Sequence, residues 1–216
     1  MAPGLRISNA EDLKALYKVL STSLSVETCA TSLNHDIPAK MMRSFSIAPH
    51  IRPEDVSNPN ANTILAVVLS TLANHQDFEE LEVASPWINS MDMVPAARWS
   101  WRLKVSQWDN LLLEEDWPAI HSKPLSHVDD LIFSMPVQAD HISWTSFAGL
   151  ANVSLLADDV CALEFIMSRI SDIRSSNRNF RRITLLSSHA YRPRAVDVKD
   201  CKNHGIDLVT QIASSS

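Results

Sequence analysis

Glycine is almost missing from this sequence: Gly4, Gly149 and Gly205 are the only three in 216 residues. Phosphate-cradling loops need several glycines close together so that backbone can approach the ligand. Three so widely spaced can build neither a Walker loop nor a GxGxxG turn, which sets aside the nucleotide-cofactor enzymes that rely on them. Cysteine is equally scarce. Cys29, Cys161 and Cys201 are odd in number, far apart and without a CxxC pair, so neither a disulfide framework nor a zinc ribbon is expected. A cytoplasmic or nuclear setting follows. The longest apolar run, Ile64 to Leu69, is far too short to cross a bilayer, and the residues before Ser8 form no leader-like apolar stretch. Neither secretion nor a membrane partner is expected, and the sequon Asn152-Val153-Ser154 is then a chance match.

Eight histidines are present, yet no two stand at i, i+4 and there is no HExxH, so neither a metal nor any other cofactor is expected. A chain of this length with 45% hydrophobic residues can bury a core unaided, and one domain covering residues 1–216 is the default.

What is there is a recurring short phrase: an apolar residue, any residue, an apolar residue, then something small or polar. It reads Leu5-Arg6-Ile7-Ser8, Phe45-Ser46-Ile47-Ala48, Leu81-Glu82-Val83-Ala84 and Leu103-Lys104-Val105-Ser106, and returns around Val153-Ser154-Leu155, Ile183-Thr184-Leu185 and Ile206-Asp207-Leu208. Alternation of this kind predicts short strands with one buried face. His141-Ile142-Ser143-Trp144 reads as a further strand. Between the phrases, apolar residues recur at helical spacing. Leu13, Leu16, Tyr17 and Leu20 predict one helix, capped by Asn9; Leu65, Val68, Leu69 and Leu72 predict a second. Val128, Leu131, Ile132 and Met135 predict a third, capped by Ser126 and stopped by Pro136. One long helix runs through Leu163, Ile166, Met167, Ile170 and Ile173, and a short one spans Val198 to Asn203 with Gly205 at its end.

Strand and helix in alternation require crossovers, so the strands should be parallel and the helices should cover the sheet. The spacing of the phrases is irregular, which leaves both a loose βα solenoid and an open doubly wound sheet.

The stretch from Thr63 to Ala84 resembles one helix-then-strand unit of the degenerate leucine-rich repeats that follow F-box motifs in fungal proteins. Phe180 to Ser187 and Gly205 to Val209 look similar. The resemblance implies an irregular leucine-rich-repeat-like solenoid, and a non-enzymatic protein-interaction module, the substrate-recognition part of an F-box-like protein. Departures are plain: the asparagine that follows each strand in the family stands in that role only as Asn9, and no F-box motif precedes the repeats. Recruitment of a cullin-type ligase is therefore not carried over, and a truncated relative is one reading of the chain.

The residues themselves offer further candidates. His127 with Asp129 and Asp130, and the pair Asp158-Asp159, could act as acid and base or hold magnesium. Both carboxylate pairs are expected at helix starts, where they would answer exposed amides and the positive dipole end. The alternative function is a small enzyme of unassigned reaction, its acid–base groups His127, Asp129, Asp130 or Asp158 lying at the carboxyl ends of parallel strands. Ser188-His189 lacks a GxSxG elbow, and Cys161 at a helix start is a packed residue or a dipole-favoured thiolate.

Trp87, Trp99, Trp101, Trp108 and Trp117 crowd one segment and form either a packed core or an exposed hot spot for a protein partner. Charge is uneven as well. From Arg169 to Lys202 there are nine basic and three acidic residues, +6 locally, against −12 over the rest of a chain whose net charge is −6. Arg174, Arg178, Arg181 and Arg182 are the candidate contacts of that stretch. With few interleaved aromatics and an acidic chain overall, a nucleic-acid partner is disfavoured.

Overall fold

The computed structural model describes residues 4–26, 43–56, 60–73, 78–88, 100–107, 125–137, 142 and 144–212. Among these residues eight strands form one sheet: β1 (Gly4–Ile7), β2 (Ser44–Ile47), β3 (Glu80–Ala84), β4 (Trp101–Gln107), β5 (Val128–Phe133), β6 (Asn152–Leu156), β7 (Arg182–Ser187) and β8 (Asp207–Ile212). Every neighbouring pair is parallel, and the strand order is the chain order. Parallel crossovers are right-handed almost without exception. A doubly wound sheet must reverse its strand order once, and this order does not reverse. The fold is an open, singly wound βα solenoid.

Main-chain pairing aligns side chains from strand to strand. Leu5, Phe45, Leu81, Leu103, Leu131, Val153, Ile183 and Leu208 occupy one continuous row across the sheet. From Phe45 to Ile183 that row is entirely buried. Ile47, Val83, Val105, Phe133, Leu155 and Leu185 form the next buried row. Burying each such side chain is worth about 1.5–3 kcal/mol relative to leaving it in water.

The helices cover these rows. In α1 (Ala10–Val26), Leu13 and Leu20 are buried, and Asn9 accepts the Asp12 amide at 2.8 Å, the expected cap. In α2 (Ala61–Ala73), Ile64, Leu65, Val68 and Leu69 are buried, and Asn60 accepts the Thr63 amide at 2.9 Å. The expected single long helix is two: α3 (Val160–Ser168) and α4 (Ile170–Ser176), parted at Arg169, whose φ of −107° and ψ of 8° leave the helical basin. The buried stripe of Leu163, Ile166, Ile170 and Ile173 continues across the break. At the end of α5 (Ala195–Asn203), Gly205 takes a φ of 66°. The Gly205 amide donates to the Lys202 carbonyl and that of Ile206 to Cys201, the double bond of a Schellman motif.

Two expectations are corrected. The residues from Val128 to Met135 do not form a helix; they contain β5, preceded by a 3-10 turn at Leu125–His127. The cause is a bulge: Trp101 pairs with Val128 but Arg102 pairs with Asp130, so Asp129 is an extra residue. One inserted residue turns the i, i+2 spacing of inward side chains into i, i+3. Val128 and Leu131 are both buried at a separation that imitates a helix. The expected strand at His141 to Trp144 fails where it can be followed, because Trp144 begins a 3-10 turn, Trp144–Ser146; His141 and Ser143 lie outside the described residues. In that turn's neighbourhood Gly149 is obligatory, since a Cβ there would strike the Ser126 carbonyl.

The strand assignment separates two substitutions. Leu131 is buried, while Ile132 stands on the sheet's other face and is half-buried. Leu131→Ala should cost about 2–5 kcal/mol in urea unfolding, and Ile132→Ala under about 1 kcal/mol. Equal losses, as a helix with both residues on its buried stripe would give, contradict β5.

Candidate functional site

The face of the sheet turned away from the buried rows carries polar side chains in register. Ser44, Glu80, Arg102, Asp130, Asn152, Arg182 and Asp207 form one row, and Ser46, Glu82, Lys104, Ile132, Ser154, Thr184 and Val209 the next. Opposite charges face each other across β3 and β4, where Arg102 lies 3.6 Å from Glu80 and Lys104 lies 3.3 Å from Glu82. Further along, the Asn152 amide donates to Asp130 at 2.6 Å and Thr184 donates to the Asn152 carbonyl oxygen at 3.0 Å. Ser154 donates to the same Asp130 oxygen at 3.4 Å. Partly exposed ion pairs of this type contribute about 0–1 kcal/mol each, so the array orients side chains more than it holds the fold together.

Where the strands begin, the face opens into a shallow groove of about 480 Å³ lined by Phe78, Glu79, Ser100, Trp101, Arg102, Asp129, Asp130, Ala151 and Asn152. A line of main-chain bonds shapes its rim: the amides of Glu79 and Glu80 donate to Arg43, that of Arg102 to Glu79, that of Ala151 to Asp129, and those of Arg181 and Arg182 to Ala151. Four carboxylates, Glu79, Glu80, Asp129 and Asp130, surround Arg102, with Arg43 pairing Glu79 at 3.3 Å. Burial raises the pKa of Asp130, against the lowering effects of the Asn152 hydrogen bond and of Arg102, while the neighbouring Asp129 adds to the rise. Burial likewise raises Asp129, offset by backbone hydrogen bonds and Arg102.

The sequence candidates separate in space. Asp129 and Asp130 do not begin a helix and cap nothing; they stand at the amino end of β5, while exposed Asp158 follows the carboxyl end of β6. At roughly 3.3 Å per residue, the six residues from Asn152 to Asp158 put these groups about 15–20 Å apart on opposite edges of the sheet. His127, at the end of the 3-10 turn before β5, stays with Asp129 and Asp130. The acid–base set proposed for the carboxyl ends of the strands therefore does not converge there. Asp159 does cap α3, accepting from the Ala162 amide at 3.1 Å, and it also accepts from the Val137 amide at 2.9 Å. Among the described residues no three His, Cys, Asp or Glu side chains gather into a metal-holding group.

Two of the tryptophans are core. Trp87 is fully buried with its indole N–H donating to the Ile51 carbonyl at 2.8 Å. Trp101 is 4% exposed and tilts against Phe78, ring centroids 6.4 Å apart. Trp101 also lines the groove. Trp99 and Trp108 lie outside the described residues. The arginines, by contrast, are on the surface. Arg174, Arg178, Arg181 and Arg182 are all exposed, and Arg174 donates to the His204 carbonyl. Among the described residues no carboxylate pairs with Arg178, Arg181 or Arg182. Arg182 belongs to the open-face row itself, between Asn152 and Asp207.

Sequence reasoning missed Asn152, because nothing local marks a strand residue that bridges two neighbours. It also missed the clamp between α3 and α5, where Arg194 grips Asp197 with two 2.8 Å bonds and reaches Glu164 at 3.1 Å. Cys201 is buried, its sulfur 3.3 Å from that of Met167, and its thiol is pushed up to about 11, first by burial and then by Asp197 and Asp200.

Scanned against protein-family models, the curated proteins and the solved structures, the chain matches none. No helix among the described residues is long and apolar enough to cross a membrane.

The raised Asp130 pKa has a signed consequence. The native state takes up this proton before the unfolded chain does, so the group's stabilising contribution is full below the ordinary aspartate range and is lost as pH rises through the folded pKa. Asp130→Asn keeps an acceptor for Asn152 and removes the charge. It should melt above the wild type at pH 7, with the gap closing as pH falls below the ordinary aspartate pKa. A variant that is less stable at pH 7 and no worse in acid reverses the sign.

Proposed function

We propose that this protein is a non-enzymatic protein-interaction module that grips its partner on the open face of the sheet, from the groove around Arg102 to the arginines at the start of β7. The observation that carries the reading is the combination of an in-register polar face with three exposed arginines, Arg178, Arg181 and Arg182, that make no ion pair with a carboxylate among the described residues. At about 4.8 Å per strand, the face spans roughly 34 Å over seven inter-strand steps, a width that suits a protein segment better than a small substrate. Its rim is polarised. Glu79, Glu80, Asp129 and Asp130 outnumber Arg43 and Arg102 beside β3 to β5, while the arginines dominate near β7. The complementary partner carries an acidic segment opposite Arg178, Arg181 and Arg182 and a basic one opposite the groove. Solenoids provide extended faces of this kind. The resemblance to repeats that follow F-box motifs supports the narrower reading, substrate recognition in an F-box-like protein.

The test is capture from a native lysate by three immobilised forms: the wild type, the triple variant Arg178→Glu/Arg181→Glu/Arg182→Glu, and a control variant Lys199→Glu/Lys202→Glu on α5. A discrete protein should be retained by wild type and control and released by the triple variant, with retention weakening as salt rises. Equal retention by all three, or none by the wild type, overturns the proposal.

A further inference from the structure

Among the described residues the last strand of the sheet, β8, is built unlike the first. β1 is four residues long, with Arg6 exposed. β8 is six residues, Asp207-Leu208-Val209-Thr210-Gln211-Ile212, without Lys, Arg, Pro or Gly. Natural edge strands are ordinarily short, charged, bulged or interrupted by proline, because unpaired main chain invites another strand. β8 pairs with β7 at all six positions without a bulge. It also collects exposed apolar surface: Val209 is 41% and Ile212 63% exposed, and Val196 and Val198 of the adjoining α5 are 54% and 41% exposed.

Which main-chain groups face outward follows from the register. The Asp207 amide donates to the Arg181 carbonyl of β7. In a parallel pair the N–H and C=O of one residue point to the same neighbour and alternate along the strand. Asp207, Val209 and Gln211 therefore bond to β7, leaving the outward donors and acceptors on Leu208, Thr210 and Ile212. These three also continue the rows that are buried in earlier strands, Leu208 beside Ile183 and Thr210 beside Leu185.

The outward triplet is complementary to itself. We infer that two copies of this chain join through antiparallel pairing of β8 about a two-fold axis at Thr210. Thr210 of each copy then exchanges both main-chain bonds with Thr210 of the other, and Leu208 faces Ile212 on either side. Threonine pairs and aliphatic pairs are favourable cross-strand neighbours. Charge permits the arrangement, since Asp207 is the one charged residue of β8 and stands three positions from the axis. The two Asp207 carboxylates would be about 20 Å apart along the strands, beyond the Debye length of ~10 Å at ordinary salt. An axis normal to the sheet leaves both open faces on the same side, so a dimer would present two docking faces together.

Two measurements on the full chain test this. Sedimentation should give twice the mass of one chain for the wild type and a single-chain mass for Thr210→Lys, with circular dichroism showing that the variant is folded. Residues facing each other in a hydrogen-bonded antiparallel pair have Cα atoms about 5.5 Å apart, within disulfide reach. In a Cys161→Ser background, Thr210→Cys should form a covalent dimer under mild oxidation, while Gln211→Cys, displaced diagonally from its copy by roughly 8 Å, should not. A wild type that sediments as a monomer up to about 100 μM, or cross-linking that is equal for the two cysteine variants, would falsify the pairing. A Thr210→Lys variant that unfolds is decided by the cysteine pair.

Discussion

Parallel main-chain pairing in unbroken chain order is the constraint on which everything else in this molecule rests. A single strand of four to seven residues with one apolar face cannot bury that face alone. Set beside its neighbours in register, Phe45, Leu81, Leu103, Leu131, Val153 and Ile183 become one continuous buried row. Each repeat is stabilised mainly by the next, the quasi-one-dimensional arrangement of a solenoid. The same register that buries one set of side chains lines up the other set on the opposite face. The polar array is thus a by-product of burial, and its spacing is as regular as the ladder beneath it.

That array divides into parts with different physics. Around Arg102 the carboxylates share one guanidinium and are partly desolvated, and burial raises the pKa of both Asp129 and Asp130 against the lowering effect of Arg102. Near β7 the arginines are exposed and make no ion pair with a described carboxylate, although Asp207 stands beside Arg182 in the register. A desolvated cluster favours a unique geometry, and a solvated cationic edge favours fast, salt-sensitive encounter. In the docking proposed above, one end of this surface would attract a partner and the other would fix its orientation. The bulge at Asp129 is what brings both aspartates to the groove while returning Leu131 to the core, a use of irregularity common beside functional sites.

The legible parts of the sequence were those whose signal is local. Leu81-Glu82-Val83-Ala84 and Leu103-Lys104-Val105-Ser106 announce half-buried strands because alternation needs no knowledge of the neighbour. Asn9 before Asp12, and Gly205 after Asn203, mark helix ends for the same reason. Val128 to Met135 carries helical spacing because a one-residue insertion alters strand spacing, and the insertion is visible only against β4. The same spacing sets Asp129 and Asp130 at an apparent helix start and conceals their place in the groove. Trp87 and Trp101 were open between core and contact surface; their burial depends on what Ile51 and Phe78 bring to them from other repeats.

By itself, then, the sequence determined the strand-and-helix alternation, and its lack of glycine excluded phosphate-binding loops built on clustered glycines. Only the tertiary structure decided that the sheet is singly wound, which face carries the polar rows, where the carboxylates meet Arg102, and that β8 is the last strand of the sheet among the described residues. The reason is range. Periodicity and capping act over a turn or a few residues, whereas strand order, register and the meeting of charges depend on hydrogen bonds between residues some twenty to forty positions apart, such as Arg102 to Glu79 and Glu79 to Arg43.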